Sequence, residues 1–384
     1  MTKRSSMHNT SLMLPLIAMH GILNIHDCFG MEDGGVKEKV ETLRPSRVAP
    51  WRPPPLVLPS PKTPVDLITG SWEEKSYSPQ VTHPHLPFEA NQETGANPRL
   101  SCCVLAHCGT RHAMEDRHTI QPALCVANDL LCGVFDGHQG IVCRDQVCRA
   151  SEVAAKAIPL ALARLKNEVF SPTTPGVENL LCQTFLEADR EIEKEDGGTT
   201  ATVAYLWPDK LKNRYILSIA NTGDSRTLIC DLEGRILLET RDHKASDPEE
   251  EERIAQAGGI VLKKRLSGSL AISRSLGDHE QKTFRSTGNP TGLIPLPETC
   301  SLPVISTYVI LQASDGLWDN EPSERAAETV ATILTPLGNR QAQLEQASRA
   351  LYQHACGQDE VPRDDVTILL TLIEPTEETT QPNI

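Results

Sequence analysis

The sequence has twelve cysteines but no C-x-x-C pair among them, which speaks against a structural zinc knuckle or a thioredoxin-type redox motif. Nor is there an excess of positive charge. Lys and Arg number 37 against 51 Asp and Glu, a formal net charge of −14 over 384 residues. That leaves no basic footprint for nucleic acid. It suits a site that gathers divalent cations, although a solvated acidic surface has the same composition. Long apolar runs are missing too. Leu12 to Leu23 is short and is broken by Pro15, His20 and Gly21, so no membrane span is expected. It resembles a secretory signal only weakly, because no small-residue cleavage site follows. No internal repeat is present.

What is there changes character along the chain. Residues 1–97 read as a low-complexity, disordered leader, with eight prolines between Pro45 and Pro64 that forbid regular helix or central strand. Such a leader could dock to a partner's SH3-like or WW-like groove, or serve as a plain linker. From about Leu100, short apolar runs alternate with turn residues. Leu130 to Phe135, Thr200 to Leu206, Tyr215 to Ala220, Thr227 to Cys230, Tyr308 to Ala313 and Val366 to Ile373 predict strands. Leu181, Phe185, Ala188 and Ile192 share one helical face. Further helices are expected at Asp247 to Ala257, capped by Gly258-Gly259, at Ser323 to Leu334 and at Arg340 to Ala355. Strands in clusters and helices in pairs point to α+β layers rather than a doubly wound sheet. Cys132 and Cys230 sit in apolar runs, as reduced cysteines used as small hydrophobes do.

Acidic residues recur at the ends of these strands: Asp136 after Phe135, Asp224 after Gly223, Asp315 after Ser314 with Asp319 beyond it, and Asp364-Asp365 just before Val366. Glu115 and Asp116 stand together after Arg111. Carboxylates at strand ends can converge on one rim of a sheet. There they repel one another unless a cation neutralises them, and an all-oxygen set selects Mg²⁺ or Mn²⁺ over zinc. Each Asp alone is equally an ordinary turn residue.

The order of the motifs resembles the PPM family, the type 2C protein phosphatases. The matching segments are Arg111 to Asp116, Asp136-Gly137-His138-Gln139-Gly140, Gly197 to Ala201, Asn221 to Arg226, Asp242-His243-Lys244, Leu270 to Asp278, Ser314 to Asp319, and Arg363 to Thr367. The resemblance covers residues 98–374 and leaves 375–384 as a disordered tail. It implies an αββα sandwich of two antiparallel sheets flanked by helices, with a binuclear metal centre at one end. It also implies hydrolysis of phosphoserine and phosphothreonine in proteins by direct attack of a metal-activated water. By the same resemblance Asp136 bridges two Mg²⁺ or Mn²⁺ ions and Gly137 lends its carbonyl. Asp315 and Asp364 are further ligands, and Glu115 and Asp116 are ligands or hold bound water. Asp224 and Asp319, with Asp315, match a third, weaker site. Arg111 would clamp phosphate, and His138 would be the general acid.

Some positions depart from the pattern. Ala245 replaces a proline after Asp242-His243-Lys244, Ser267 stands where Asn is common, and Asp365 stands where Asn is often found. Asp365 could therefore be mistaken for the ligand Asp364. Two strings are decoys. Met31-Glu32-Asp33 lacks the upstream Arg, and Cys143 to Arg149 has the spacing of cysteine-dependent phosphatases without their glycines. Gly197-Gly198-Thr199-Thr200 lacks a following Gly-Lys-Ser/Thr and reads as a tight turn into a buried strand. A catalytically inactive relative acting as a scaffold would have lost the ligand carboxylates, which are present here. The expected partners are phosphoprotein substrates, the chain is expected to be a monomer, and a cytoplasmic or nuclear location is expected, with organelle targeting by the leader left open.

Overall fold

The structure, a computed structural model, describes residues 80–82, 98–126, 128–138, 149–169, 173–193 and 197–375. The chain divides into residues 1–62 and 63–384, and all described residues belong to the second unit. In chain order the strands are β1 (Gln80–Thr82), β2 (Arg99–His107), β3 (Arg117–Pro122), β4 (Leu130–Phe135), β5 (Gly137–His138), β6 (Gly198–Thr199), β7 (Ala201–Asp209), β8 (Arg214–Thr222), β9 (Arg226–Cys230), β10 (Ile236–Glu239), β11 (Val261–Leu262), β12 (Arg265–Leu266), β13 (Leu276–Gly277), β14 (Glu298–Val304), β15 (Tyr308–Ala313) and β16 (Val366–Glu374). The helices are α1 (Ala150–Val169), α2 (Thr174–Glu191), α3 (Pro248–Gln256), α4 (Asp315–Trp318), α5 (Ser323–Ile333) and α6 (Arg340–Cys356).

Two antiparallel sheets make the centre. One runs β1-β2-β16-β15-β9-β10 and the other β14-β8-β7-β4-β3. Val104, Ile120, Leu130, Leu217, Ile229, Ile310 and Leu369 meet between them. A second core lies on the outer face of the five-stranded sheet, where Ile158 and Leu162 of α1 and Leu181 and Phe185 of α2 cover Val203 and Tyr205. A third packs α4, α5 and α6 on the outer face of the six-stranded sheet through Ala327, Val330, Leu344 and Leu351. The result is the αββα sandwich that the resemblance implied. Covered faces on both sides explain why β4 and β15 are buried at every residue instead of alternating in and out.

Most of the expected elements form. The face of Leu181, Phe185, Ala188 and Ile192 is buried. Helix α3 begins at the Asp247 cap, which accepts hydrogen bonds from the Glu249 and Glu250 amides. It ends before Gly258, whose φ of +86° is the left-handed turn that glycine adopts most readily. Sequence reading did not single out β2 or α1. Ser101-Cys102-Cys103 interrupts the apolar run of β2, and Pro159 sits inside α1 among alanines. Within residues 1–97, Gln80–Thr82 pairs with Val104 to Ala106 of β2. The proline tract, Met31 to Asp33, Cys143 to Cys148 and residues 376–384 lie outside the described residues. Among the described residues no helix is long and apolar enough to cross a membrane.

Candidate active site

Strand register gathers the acidic segments at one end of the sandwich. Arg117 lies opposite Phe135, Ala201 opposite Thr222, and Ala313 opposite both Arg226 and Ile368. The residues just beyond these pairs, Asp116, Asp136, Asp224, Asp315 and Asp365, therefore share a rim. Asp136 is fixed through its backbone. Its amide donates to Thr200 Oγ1 at 3.0 Å, and its carbonyl accepts from the Thr200 amide at 2.9 Å and from Thr199 Oγ1 at 3.0 Å. A small sheet of β5, β6 and β13 then joins three motifs, pairing Gly137 and His138 with Gly198-Thr199, and these with Leu276-Gly277. Gly197-Gly198-Thr199-Thr200 is thus the tight entry to buried strand β7 that its sequence predicts, with Gly197 at φ +80°.

These segments enclose a cavity of about 320 Å³. Arg111, Glu115, Asp136, Gly137, His138, Asp224, Asp315, Asp364 and Asp365 line it. Asp116 lies behind this wall, fully buried, and accepts from the Ser314 hydroxyl at 2.7 Å. Asp319 is exposed. It takes a hydrogen bond from Lys244 at 3.1 Å and lines a neighbouring cavity of about 480 Å³ that shares Asp315 and Asp364 with the first. Arg111 donates to Asp364 across the mouth. Asp365 is the more buried of the adjacent pair and accepts from the Glu115 amide at 2.5 Å.

The cluster holds its protons too tightly for ordinary carboxylates. Burial pushes Asp116 and Asp224 up to about 7, Asp315 to about 6 and Asp365 to about 8, with repulsion from neighbouring carboxylates adding to each. Asp136 is raised well above the usual range for the same reasons. Asp116 Oδ1 and Asp365 Oδ1 are buried without a hydrogen-bond donor. Among the described residues no three His, Cys, Asp or Glu side chains already stand about one point as ligands. An all-oxygen, mutually repelling donor set with unsatisfied lone pairs nevertheless fits hard divalent cations.

Sequence reading quoted Asp278 within a motif but gave it no role. Its Oδ2 lies 2.7 Å from His138 Nε2 and accepts from Ser275 Oγ at 2.7 Å. Burial favours the neutral acid, yet His138 outweighs it and holds Asp278 below its ordinary range. In turn burial opposes the imidazolium, and Asp278 more than offsets this, raising His138. Asp278 adopts a φ of +49°, strained for a non-glycine residue. Lys244 was also passed over, although it lies 3.1 Å from Asp319 and 3.9 Å from Asp224. Trp318 is a packing residue, with its indole N–H donating to the Ala313 carbonyl at 3.0 Å.

A family model described as protein phosphatase 2C matches residues 102–361. The chain belongs to the protein phosphatase 2C family. It is 32% identical over 315 residues to protein phosphatase 2C homolog 1 of Saccharomyces cerevisiae, covering 78% of this chain and 99% of that one. It is 34% identical to bovine protein phosphatase 1L over 58% of this chain and 61% of that protein. Among solved structures, a phosphatase from Toxoplasma gondii superposes with a TM-score of 0.56 at 20% identity, over 73% of this chain and 97% of that one. At that identity the match speaks for the fold, and it agrees with the four layers seen in this phosphatase 2C chain.

Proposed function

We propose that this protein serine/threonine phosphatase hydrolyses phosphoserine and phosphothreonine by direct attack of water, with Mg²⁺ or Mn²⁺, two per site, as its cofactor. The observation that carries the reading is the meeting of Asp136, Asp224, Asp315 and Asp364 with Arg111 and His138 around one cavity. Asp136, the Gly137 carbonyl, Asp315 and Asp364 would hold the cations. Glu115 and Asp116 would support them, and Asp224 with Asp319 would serve a third, weaker site. When bound, such ions neutralise the carboxylates and the phosphate and acidify water.

The chain's own residues supply the rest. Arg111 is half exposed at the mouth, and its planar fork can leave Asp364 for two phosphate oxygens. As water's oxygen bonds to phosphorus and releases one proton to solvent, the bond from phosphorus to the seryl or threonyl oxygen breaks, its electron pair staying on that oxygen. His138, oriented by Asp278, gives that departing oxygen its proton. No side chain becomes phosphorylated. The test is hydrolysis of a phosphothreonine peptide with and without Mn²⁺. Activity that EDTA abolishes is expected, and Asp315→Asn should lose nearly all turnover. Full activity in EDTA would sink the reading.

A further inference from the structure

We propose that the hairpin β11–β12 is a docking arm for acidic residues of the substrate, binding them within about three positions of the phosphorylated residue. The proposal deepens the phosphatase reading of the adjoining cavity and rests on it. Val261 pairs with Leu266 and Leu262 with Arg265, so Lys263 and Lys264 alone make the turn. Both have positive φ, +52° and +64°. A two-residue turn of this hand is suited to Asn-Gly, which adopts it with little strain. Two consecutive lysines there are a poor choice for the backbone, and outliers of this kind cluster at functional sites.

Charge gives the second observation. Lys263, Lys264 and Arg265 are all exposed in a chain of net charge −14. Helix α3 packs beside β11 and carries four successive glutamates. Three of them are engaged within or beside the helix: Glu249 pairs with Arg241, Glu250 with Arg253 and Arg274, and Glu252 accepts from Gln256. Among the described residues no carboxylate forms an ion pair with any of the three basic side chains.

Placement gives the third. Arg265 donates to the Ser269 carbonyl at 2.8 Å, and both residues line the cavity that holds Arg111 and His138. The arm is anchored by its own small core, in which Leu266, Leu270 and Ile272 pack on Ile254 and Leu293. Lys264 and Lys263 lie at the exposed tip of the hairpin, one and two positions from Arg265. At about 3.3 Å per extended residue, acidic side chains one to three positions from a phosphate seated beside Arg265 would come within reach of these ammonium groups.

The test compares two phosphothreonine peptides, one flanked on both sides by glutamates and one by alanines, on the full chain with Mn²⁺. Initial rates and fluorescence anisotropy are both read. The glutamate peptide is expected to be favoured about tenfold, chiefly in KM and Kd, with the preference fading at high salt. Lys263→Asn/Lys264→Gly removes both charges while suiting the turn, and should cut the preference at least threefold. Lys263→Glu/Lys264→Glu should reverse it. No preference in the parent chain, or an equal one in the parent and both variants, overturns the docking arm. If neither peptide is hydrolysed, the phosphatase reading falls, and the anisotropy ratio still decides the arm.

Discussion

Gly198 shows how one atom can govern this site. A Cβ there would lie 2.0 Å from Asp278 Oδ2, so Asp278 reaches His138 only because residue 198 is glycine. Gly198→Ala should push Asp278 aside and lower kcat together with thermal stability, whereas Asp278→Asn should lower kcat and leave the fold intact. General acids contribute roughly a hundredfold or more, so Asp278→Asn and His138→Gln are both expected to slow phosphopeptide hydrolysis by about that factor. On p-nitrophenyl phosphate, whose leaving group needs little protonation, the loss should be much smaller. Equal losses on the two substrates would remove His138 from the proton-donor role. None of this pairing was visible in sequence, because 140 residues separate His138 from Asp278.

Among the elements, α3 depends on a buried acid. Glu250 accepts from Ser273 Oγ at 2.5 Å, and Arg253 and Arg274 both pair with it. Burial opposes its charge, but these donors win and hold Glu250 well below its ordinary range. A depressed folded pKa adds stability above the unfolded value of about 4.3, and that stability is lost as pH falls toward the folded value. Glu250→Gln should therefore cost about 3 kcal/mol near neutrality. The difference from the parent chain should shrink below about pH 4, read as urea midpoints across pH. A gap that widened in acid would contradict this. Between the sheets, Leu369 is fully buried, and Leu369→Ala should cost about 2–5 kcal/mol in the same titration.

At the scale of the whole molecule, the sandwich brings several carboxylates together at one end, and their mutual repulsion opposes folding; bound cations of the proposed kind would offset it. Saturating Mn²⁺ is accordingly expected to raise the Tm by several degrees. Asp136→Asn/Asp315→Asn should raise the metal-free Tm and abolish the Mn²⁺ response. A Mn²⁺ shift of the same size in that double variant would place the cations elsewhere.

The sequence alone determined the elements whose signal is local. Leu130 to Phe135 and Tyr308 to Ala313 are strands to the residue, because continuous apolar runs bounded by turns are strands when both faces are covered. Asp247 and Gly258 marked the ends of α3 by capping chemistry. Motif order pointed to the family, and with it to the acidic rim. Tertiary structure decided what depends on register and packing: that Asp116 is buried behind the cavity wall while Asp319 stands exposed, that Asp278 is the residue holding His138, and that Arg265, next to the Lys263-Lys264 turn, lines the cavity. Burial and pairing between distant segments are set by which strands lie side by side, and no local pattern of residues encodes that.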